Sequence, residues 1–195
     1  ASSWRVLVPK LAARRVDPAD VDRELSAQLD AIRSVGVRVD HLDTHQHVHL
    51  YPVVREAVLD LAVREGVPAI RITRSASRGP VGYAVRHLAR RLEREAVADG
   101  LAFPTDAAGL DEAGRLDVAS ALDALRRLAA SDAPAVELSS HPGEHHDPDR
   151  HRYKWGYRWG DELDALCSPE VRAEVDRLGF RLGTYADLVA PGRVR

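Results

Sequence analysis

Four of the nine histidines of this 195-residue chain fall within nine residues, in the stretch HLDTHQHVHLYP from His41 to Pro52. His45, His47 and His49 alternate with other residues, and Asp43 continues the alternation backwards. Alternate residues of an extended chain point to one face, whereas helical neighbours two apart diverge by about 200°. The spacing therefore predicts a strand end or an extended loop that presents Asp43, His45, His47 and His49 on one side. Neutral imidazole and carboxylate are good ligands for Zn²⁺ and similar divalent ions. A catalytic site of that kind uses about three protein ligands and leaves a position open for water. The ion makes its water more acidic and polarises a carbonyl. One or two ligands, with the remaining side chains orienting them or touching substrate, is the expected division. The competing reading has these histidines capping helices, bonding to backbone or facing water.

His141, in VELSSHPGE, ends an apolar run and is followed by Pro-Gly, which turns the chain sharply. A histidine there can act as a general acid near neutral pH, or simply bond to a nearby carbonyl. Arg71 and Arg74 can orient a carboxylate or clamp a substrate; surface charge is the alternative. Tyr153, Trp155, Tyr157 and Trp159 share one short segment, where sugar rings could stack or where the rings could pack against the fold's edge. His145, His146 and His151 read as solvated loop residues.

Positioning these groups requires several elements. Asp17 can cap a helix over 17–36, with Pro18 in its first turn, Gly36 as its stop, and Val21, Leu25, Leu29 and Ile32 at helical spacing. Further helices are expected over 52–66, through VRHLARRLEREAVADG, over 116–131, and over 168–179 with Ser168 as cap. Strands are expected at 37–42, 67–73 and 134–141, with a last short strand and helical turn at 180–188, and 143–160 reads as a long polar and aromatic loop. Helices and strands thus alternate, which predicts an α/β fold with mostly parallel strands. Asp43 and His45 follow the first strand, Arg71 and Arg74 end the second, and His141 ends the third. The carboxyl ends of parallel strands are where such folds build their sites. Only about four strands are visible. A closed eight-stranded barrel needs roughly 250 residues, so one domain over 1–195, forming part of a barrel, is expected.

Twenty-eight basic and 30 acidic residues leave a net charge of −2, which argues against nucleic-acid and membrane-surface partners. There is no apolar run of about 18 residues for a membrane helix, and ASSWRVLVPK lacks a signal-peptide layout. The one cysteine, Cys167, can form neither an internal disulfide nor a thiolate zinc site. A cytoplasmic setting is expected. The chain contains no Met, an initiator included, which suggests a piece of something longer.

At these residues the chain resembles the YdjC-like (ChbG/HpnK) carbohydrate deacetylases. The likeness runs from DPADVDRELSAQLDAIRSVGVRVDHLDTHQHVHLYPVV through VPAIRITR and VELSSHPG to LDALCSPEVRAEVDRLGFRLGTYADL. The Asp-Thr-His-x-His-x-His block followed by the His-Pro pair is its most specific part. The resemblance implies a partial or deformed (β/α) barrel of the polysaccharide-deacetylase-like type. It also implies removal of acetyl groups from N-acetylglucosamine-type sugars with a divalent metal ion, Mg²⁺ or Zn²⁺. Carried over, His45 is the metal ligand, Asp43, His47 and His49 shape the site around it, Arg71 supports it, and His141 stands where related deacetylases place a general acid. The family's Asn-Ala-Asp-Asp-Phe-Gly motif, source of a base and a ligand Asp, does not occur in this sequence, and its Gly-x-His ligand segment does not occur ahead of the histidine block. The expectation is a chain that starts after both, either a fragment of an active enzyme or a derived protein, that is inactive alone and, with a sheet edge left open, is marginally stable or pairs with another chain, a homo-oligomer included. Two other readings compete. One is a metal-dependent amidohydrolase or phosphoesterase, which would need further ligands at later strand ends. The other is a non-catalytic carbohydrate-binding remnant.

Overall fold

Helix ends follow local chemistry in the computed structural model, which describes residues 4–13 and 15–189. In chain order the elements are α1 (Trp4–Ala12), α2 (Pro18–Ser34), a 3₁₀ turn (His45–Leu50), α3 (Pro52–Glu65), α4 (Pro80–Ala98), β1 (Asp106–Ala108), α5 (Val118–Ala129), β2 (Val136–Leu138), a second 3₁₀ turn (Pro148–Arg152), α6 (Trp159–Cys167), α7 (Pro169–Arg177) and α8 (Tyr185–Val189). The chain is mixed α/β, rich in helix, with a small parallel sheet. Among the described residues no helix is long and apolar enough to cross a membrane. Two compact units divide the chain. One comprises Ala1–Ile72, Ala84–Phe103 and Thr184–Arg195; the other comprises Thr73–Tyr83 and Pro104–Gly183.

In the first unit Asp17 caps α2, its carboxylate accepting from the Ala19 N–H at 2.9 Å, with Pro18 in the first turn as expected. Pro52 opens α3, and Gly66 ends it in the left-handed region at φ 66°. Val54, Val58, Leu61 and Ala62 of α3 meet Leu29, Ile70, Ile72, Leu92 and Ala96 in one apolar core. Buried Arg55 of α3 donates from Nε to Glu95 at 2.6 Å, which neutralises it. The strands expected at 37–42 and 67–73 shrink to single parallel bridges, Leu42 to Ile70 and Ala69 to Ala102. Val37 is 52% exposed while Val39 and Leu42 pack against the core, so the β-branched run is only partly covered.

The second unit holds the small sheet. β1 and β2 pair in parallel, Asp106 opposite Val136 and Ala108 opposite Leu138, and β2 falls inside the strand expected at 134–141. β1, with the sequence Asp-Ala-Ala, carries no β-branched signal and was not expected. α5 opens with a reciprocal capping box between Asp117 and Ser120. Leu122, Leu125, Ala165, Val171 and Val175 join α5, α6 and α7 in a second core. Glu174 of α7 accepts from Arg177 and Arg126 at 2.6 and 2.8 Å, and these two guanidiniums hold its carboxyl down to about 2. The segment 143–160 is not a loop throughout: a 3₁₀ turn occupies Pro148–Arg152 and α6 begins at Trp159. Residues 180–184 form no strand. Leu182 is 69% exposed and has no neighbouring strand to pair with, and only the helical turn, α8, is realised.

Candidate functional site

The bridge between Leu42 and Ile70 sets the histidine-rich turn. Each is followed by a polar residue, and because the two segments run parallel, Asp43 and Arg71 emerge side by side. Arg71 Nη1 donates to Asp43 Oδ2 at 2.6 Å, with both side chains about one quarter exposed. The chain then departs from the expected extended course. Thr44 is still extended, but residues 45–50 curl into the 3₁₀ turn, with Gln46 and His47 in the left-handed region at φ 55° and 54°. Strand alternation therefore does not align Asp43, His45, His47 and His49.

The curl nevertheless gathers part of the set. Asp43 Oδ1 lies 3.9 Å from His47 Nδ1 and 3.8 Å from His49 Nδ1, and the two imidazoles meet edge to face with centroids 6.1 Å apart. Thr44 binds His49 twice: its Oγ1 accepts from the His49 backbone N–H at 3.0 Å and lies 2.6 Å from Nδ1. His49 is fully buried, and its Nε2 has no hydrogen-bond partner. Burial pushes its pKa down to about 4, against the pull of the Asp43 carboxylate, so the ring is neutral near pH 7. His45 opens the turn and is exposed. The donor types suit a divalent ion, and His49 offers a neutral imidazole with one unsatisfied nitrogen. Among the described residues, however, no group of three or more His, Cys, Asp or Glu side chains is gathered so as to hold a metal. The chain's described residues thus supply donors of the right kind without assembling a full ligand set.

In the second unit His141 lies three residues beyond β2. Ser139 extends the sheet by donating to Ala108 O at 2.9 Å. Gly109, at φ 104°, lies so close that a Cβ there would sit 2.0 Å from the Ser139 carbonyl oxygen. The His141 backbone N–H donates to Glu162 Oε2 at 2.5 Å, and the same oxygen is 3.9 Å from His141 Nδ1. Glu162, in the first turn of α6, is fully buried. The His141 ring meets Tyr157 edge to face at 5.1 Å.

Glu162 is the functional candidate that sequence reasoning missed. Its one signal is a charged residue three positions before Ala165 on what becomes the buried face of α6. Tyr153 and Trp155, 52% and 42% exposed, lie with ring centroids 4.9 Å apart; Trp155 then meets Tyr157 at 5.6 Å and Tyr157 meets Trp159 at 6.2 Å. An open cleft of about 230 Å³ is lined by Pro142, Glu144, Tyr153, Trp155 and Trp159, among others. Arg74 is half-buried and belongs to this second unit, whereas Arg71 belongs to the first. His145 and His146 are exposed as expected, His145 Nε2 lying 2.9 Å from Asp164; the His151 side chain lies outside the described residues.

Comparison with known proteins adds an independent line. A family model described as YdjC-like protein matches residues 4–177. A chitooligosaccharide deacetylase from Enterobacter sp. (strain 638) is 31% identical over 87% of this chain and 61% of its own length. A carbohydrate deacetylase from Mus musculus is 30% identical over 91% of this chain and 65% of its own. The chain therefore spans less than two thirds of these relatives. A crystal structure of a proposed cellobiose-phosphate cleavage protein from Enterococcus faecalis V583 shares the fold, with a TM-score of 0.70 over 90% of this chain and 63% of that one, at 22% identity.

Proposed function

This chain belongs to the YdjC-like family, and from that premise we propose that the whole protein removes the acetyl group from N-acetylated amino sugars of the N-acetylglucosamine type. The observation that carries this reading is the Asp43 carboxylate, gripped by Arg71 at 2.6 Å with two imidazoles within 3.9 Å. Relatives named as carbohydrate and chitooligosaccharide deacetylases support it. The shared architecture is proposed to be a deformed or partial (β/α) barrel. His45 is proposed as this chain's ligand to a divalent ion, Mg²⁺ or Zn²⁺. Such an ion supplies polarisation of the acetyl carbonyl and acidification of water.

The chain's own residues take the remaining roles. Arg71 fixes Asp43 through one carboxylate oxygen, which leaves the other facing His47 and His49. Burial keeps His49 neutral near pH 7, and Thr44 holds it in place. Water adds to the acetyl carbon, and as the amide C–N bond breaks His141 donates a proton to the departing amine nitrogen, so that the acetyl group leaves as acetate. Arg74, Tyr153 and Trp155 are proposed to contact the sugar, the two exposed rings stacking on its apolar face.

The test is acetate release by the whole protein from N-acetylglucosamine oligomers, with bound metal measured in parallel. His45→Ala is expected to lower metal affinity at least about tenfold and to lower acetate release with it. Unchanged metal content and activity in this variant would remove His45 from the site. No acetate release by the wild-type protein with Mg²⁺ or Zn²⁺ would overturn the deacetylase reading.

A further inference from the structure

We infer that Glu162 is the positioning residue for His141: a buried carboxylate that turns the imidazole so that Nδ1 faces inward and Nε2 faces outward. The inference rests on the deacetylase reading for the identity of the proton acceptor, but its geometry stands apart from that reading.

A buried carboxylate is costly unless it is paired. Two buried glutamates show the contrast. Glu174 is bound by Arg177 and Arg126. Glu162, with 0% exposure, has one ionisable partner within 4.0 Å among the described residues, His141 Nδ1 at 3.9 Å. One of its oxygens accepts from the His141 backbone N–H, while the other, Oε1, is buried without a hydrogen-bond partner. His141 Nδ1 is likewise buried and without one. Two orphaned polar atoms, on a carboxylate and an imidazole that already share a contact, form a natural proton-sharing pair. A glutamine could satisfy the backbone N–H without burying a charge, so anchoring the turn does not by itself explain a carboxylate.

The surroundings restrict what the ring can do. The His141 side chain is 40% exposed although Nδ1 is buried, so its accessible area lies on the rest of the ring. Tyr157 stands edge to face at 5.1 Å and 73°, and Glu162 ties the residue's own backbone, so the imidazole cannot swing far. A small rotation brings Nδ1–H from 3.9 Å into hydrogen-bond range of the carboxylate, a tightening common when a substrate binds. With Nδ1–H directed at Glu162, Nε2 is the nitrogen free to carry the working proton. The protonated ring is then balanced by the buried carboxylate. As the C–N bond breaks, the proton passes from Nε2 to the amine nitrogen. The neutral ring keeps its Nδ1 proton, directed at Glu162.

The closing experiment has two arms. In long-range ¹H–¹⁵N spectra of the 195-residue chain above neutral pH, His141 is expected as the Nδ1–H tautomer, and in Glu162→Gln it should shift toward Nε2–H. This arm needs no activity. A wild-type ring in the Nε2–H form, or a folded Glu162→Gln with an unchanged ring, would overturn the assignment. In the whole protein, Glu162→Gln should lower kcat on N-acetylglucosamine oligomers about 100-fold with KM within about twofold. Glu162→Asp should recover part of the loss, and His141→Ala combined with Glu162→Gln should add little to His141→Ala alone. A defect confined to KM, or full additivity, would mean that Glu162 serves only the fold. If the wild type releases no acetate, the reaction reading fails while the tautomer still decides the role of Glu162.

Discussion

His49 and His141 are each tied by the backbone N–H to a side chain that also faces a ring nitrogen, yet the holding is built differently. At His49 both contacts come from Thr44, five residues back, and the ring is completely enclosed. At His141 both face Glu162, 21 residues on, and the side chain stays 40% exposed. The first arrangement is local: the turn's curvature makes it, and two non-glycine residues sit in the left-handed region to do so. The second depends on a strand end, a helix and a close glycine contact all being in place. A ring sealed in by its own turn suits orientation of neighbours, whereas a half-open ring backed by a carboxylate suits proton transfer.

The sharpest way to break that contrast is to disturb the strand end that places His141. Gly109 sits at φ 104° with the Ser139 carbonyl oxygen where a Cβ would go, and the atoms that Cβ would meet are backbone, which cannot swing aside. Gly109→Ala is therefore expected to cost roughly 3–5 kcal/mol. Urea unfolding followed by tryptophan fluorescence reads this, because Trp155 and Trp159 lie in the same unit. A loss below about 1 kcal/mol would show that β1 and β2 can part without cost, and that His141 is not placed by their contact.

This difference also decides what the sequence could show. Asp17, Pro18, Gly66, Ser168 and Pro169 mark helix ends through contacts a few residues long, and these ends were legible. The histidine block was legible as donors but misread as extended backbone, because nothing in DTHQHVHL announces positive φ at Gln46 and His47; glycine and asparagine are the usual signals. The order of the elements placed Asp43 and Arg71 at the same end of parallel segments, but their direct contact came only with the structure. β1 and α6 were missed because their stability comes from partners far along the chain, β2 for one and α5 for the other. Glu162 was missed with α6. Without that helix its burial could not be foreseen, and an exposed glutamate carries no chemistry worth noting.

The next effect in size is acid destabilisation of the first unit. The folded-state pKa of His49 lies at about 4, below its ordinary 6.5, so between these values the unfolded chain binds a proton that the folded one does not. His49 therefore contributes its full share above pH 6.5, and that share is lost as pH falls toward 4. At about 1.4 kcal/mol per pH unit, the span corresponds to roughly 3 kcal/mol. Amide exchange protection of α3, read in buffer with a metal chelator, isolates the first unit. Wild type should lose protection from pH 7 to 4, and the gap between wild type and His49→Gln should narrow over the same range. A constant gap would show that the ring is not buried neutral, and the contrast with His141 would weaken.

The smallest effect tests the curvature itself. Left-handed backbone costs a non-glycine residue about 1–2 kcal/mol, and glycine relieves this while giving back part of the gain through a freer unfolded chain. Gln46 is the cleaner of the two positions: its side chain is exposed, and replacing it removes neither an imidazole nor the Thr44 to His49 contacts. Gln46→Gly is expected to raise the stability of the first unit by roughly 0.5–1 kcal/mol, again read from α3 exchange. His47→Gly relieves similar strain but deletes the ring that faces Asp43, so a gain there would not separate strain from lost contacts. If Gln46→Gly stabilises the unit while His49 remains neutral and protected, the strain belongs to the turn alone and the Thr44 clasp suffices to hold His49. A loss of stability instead would mean that Gln46 contributes a contact stronger than the strain it carries. The local construction ascribed to the His49 site would then extend beyond Thr44.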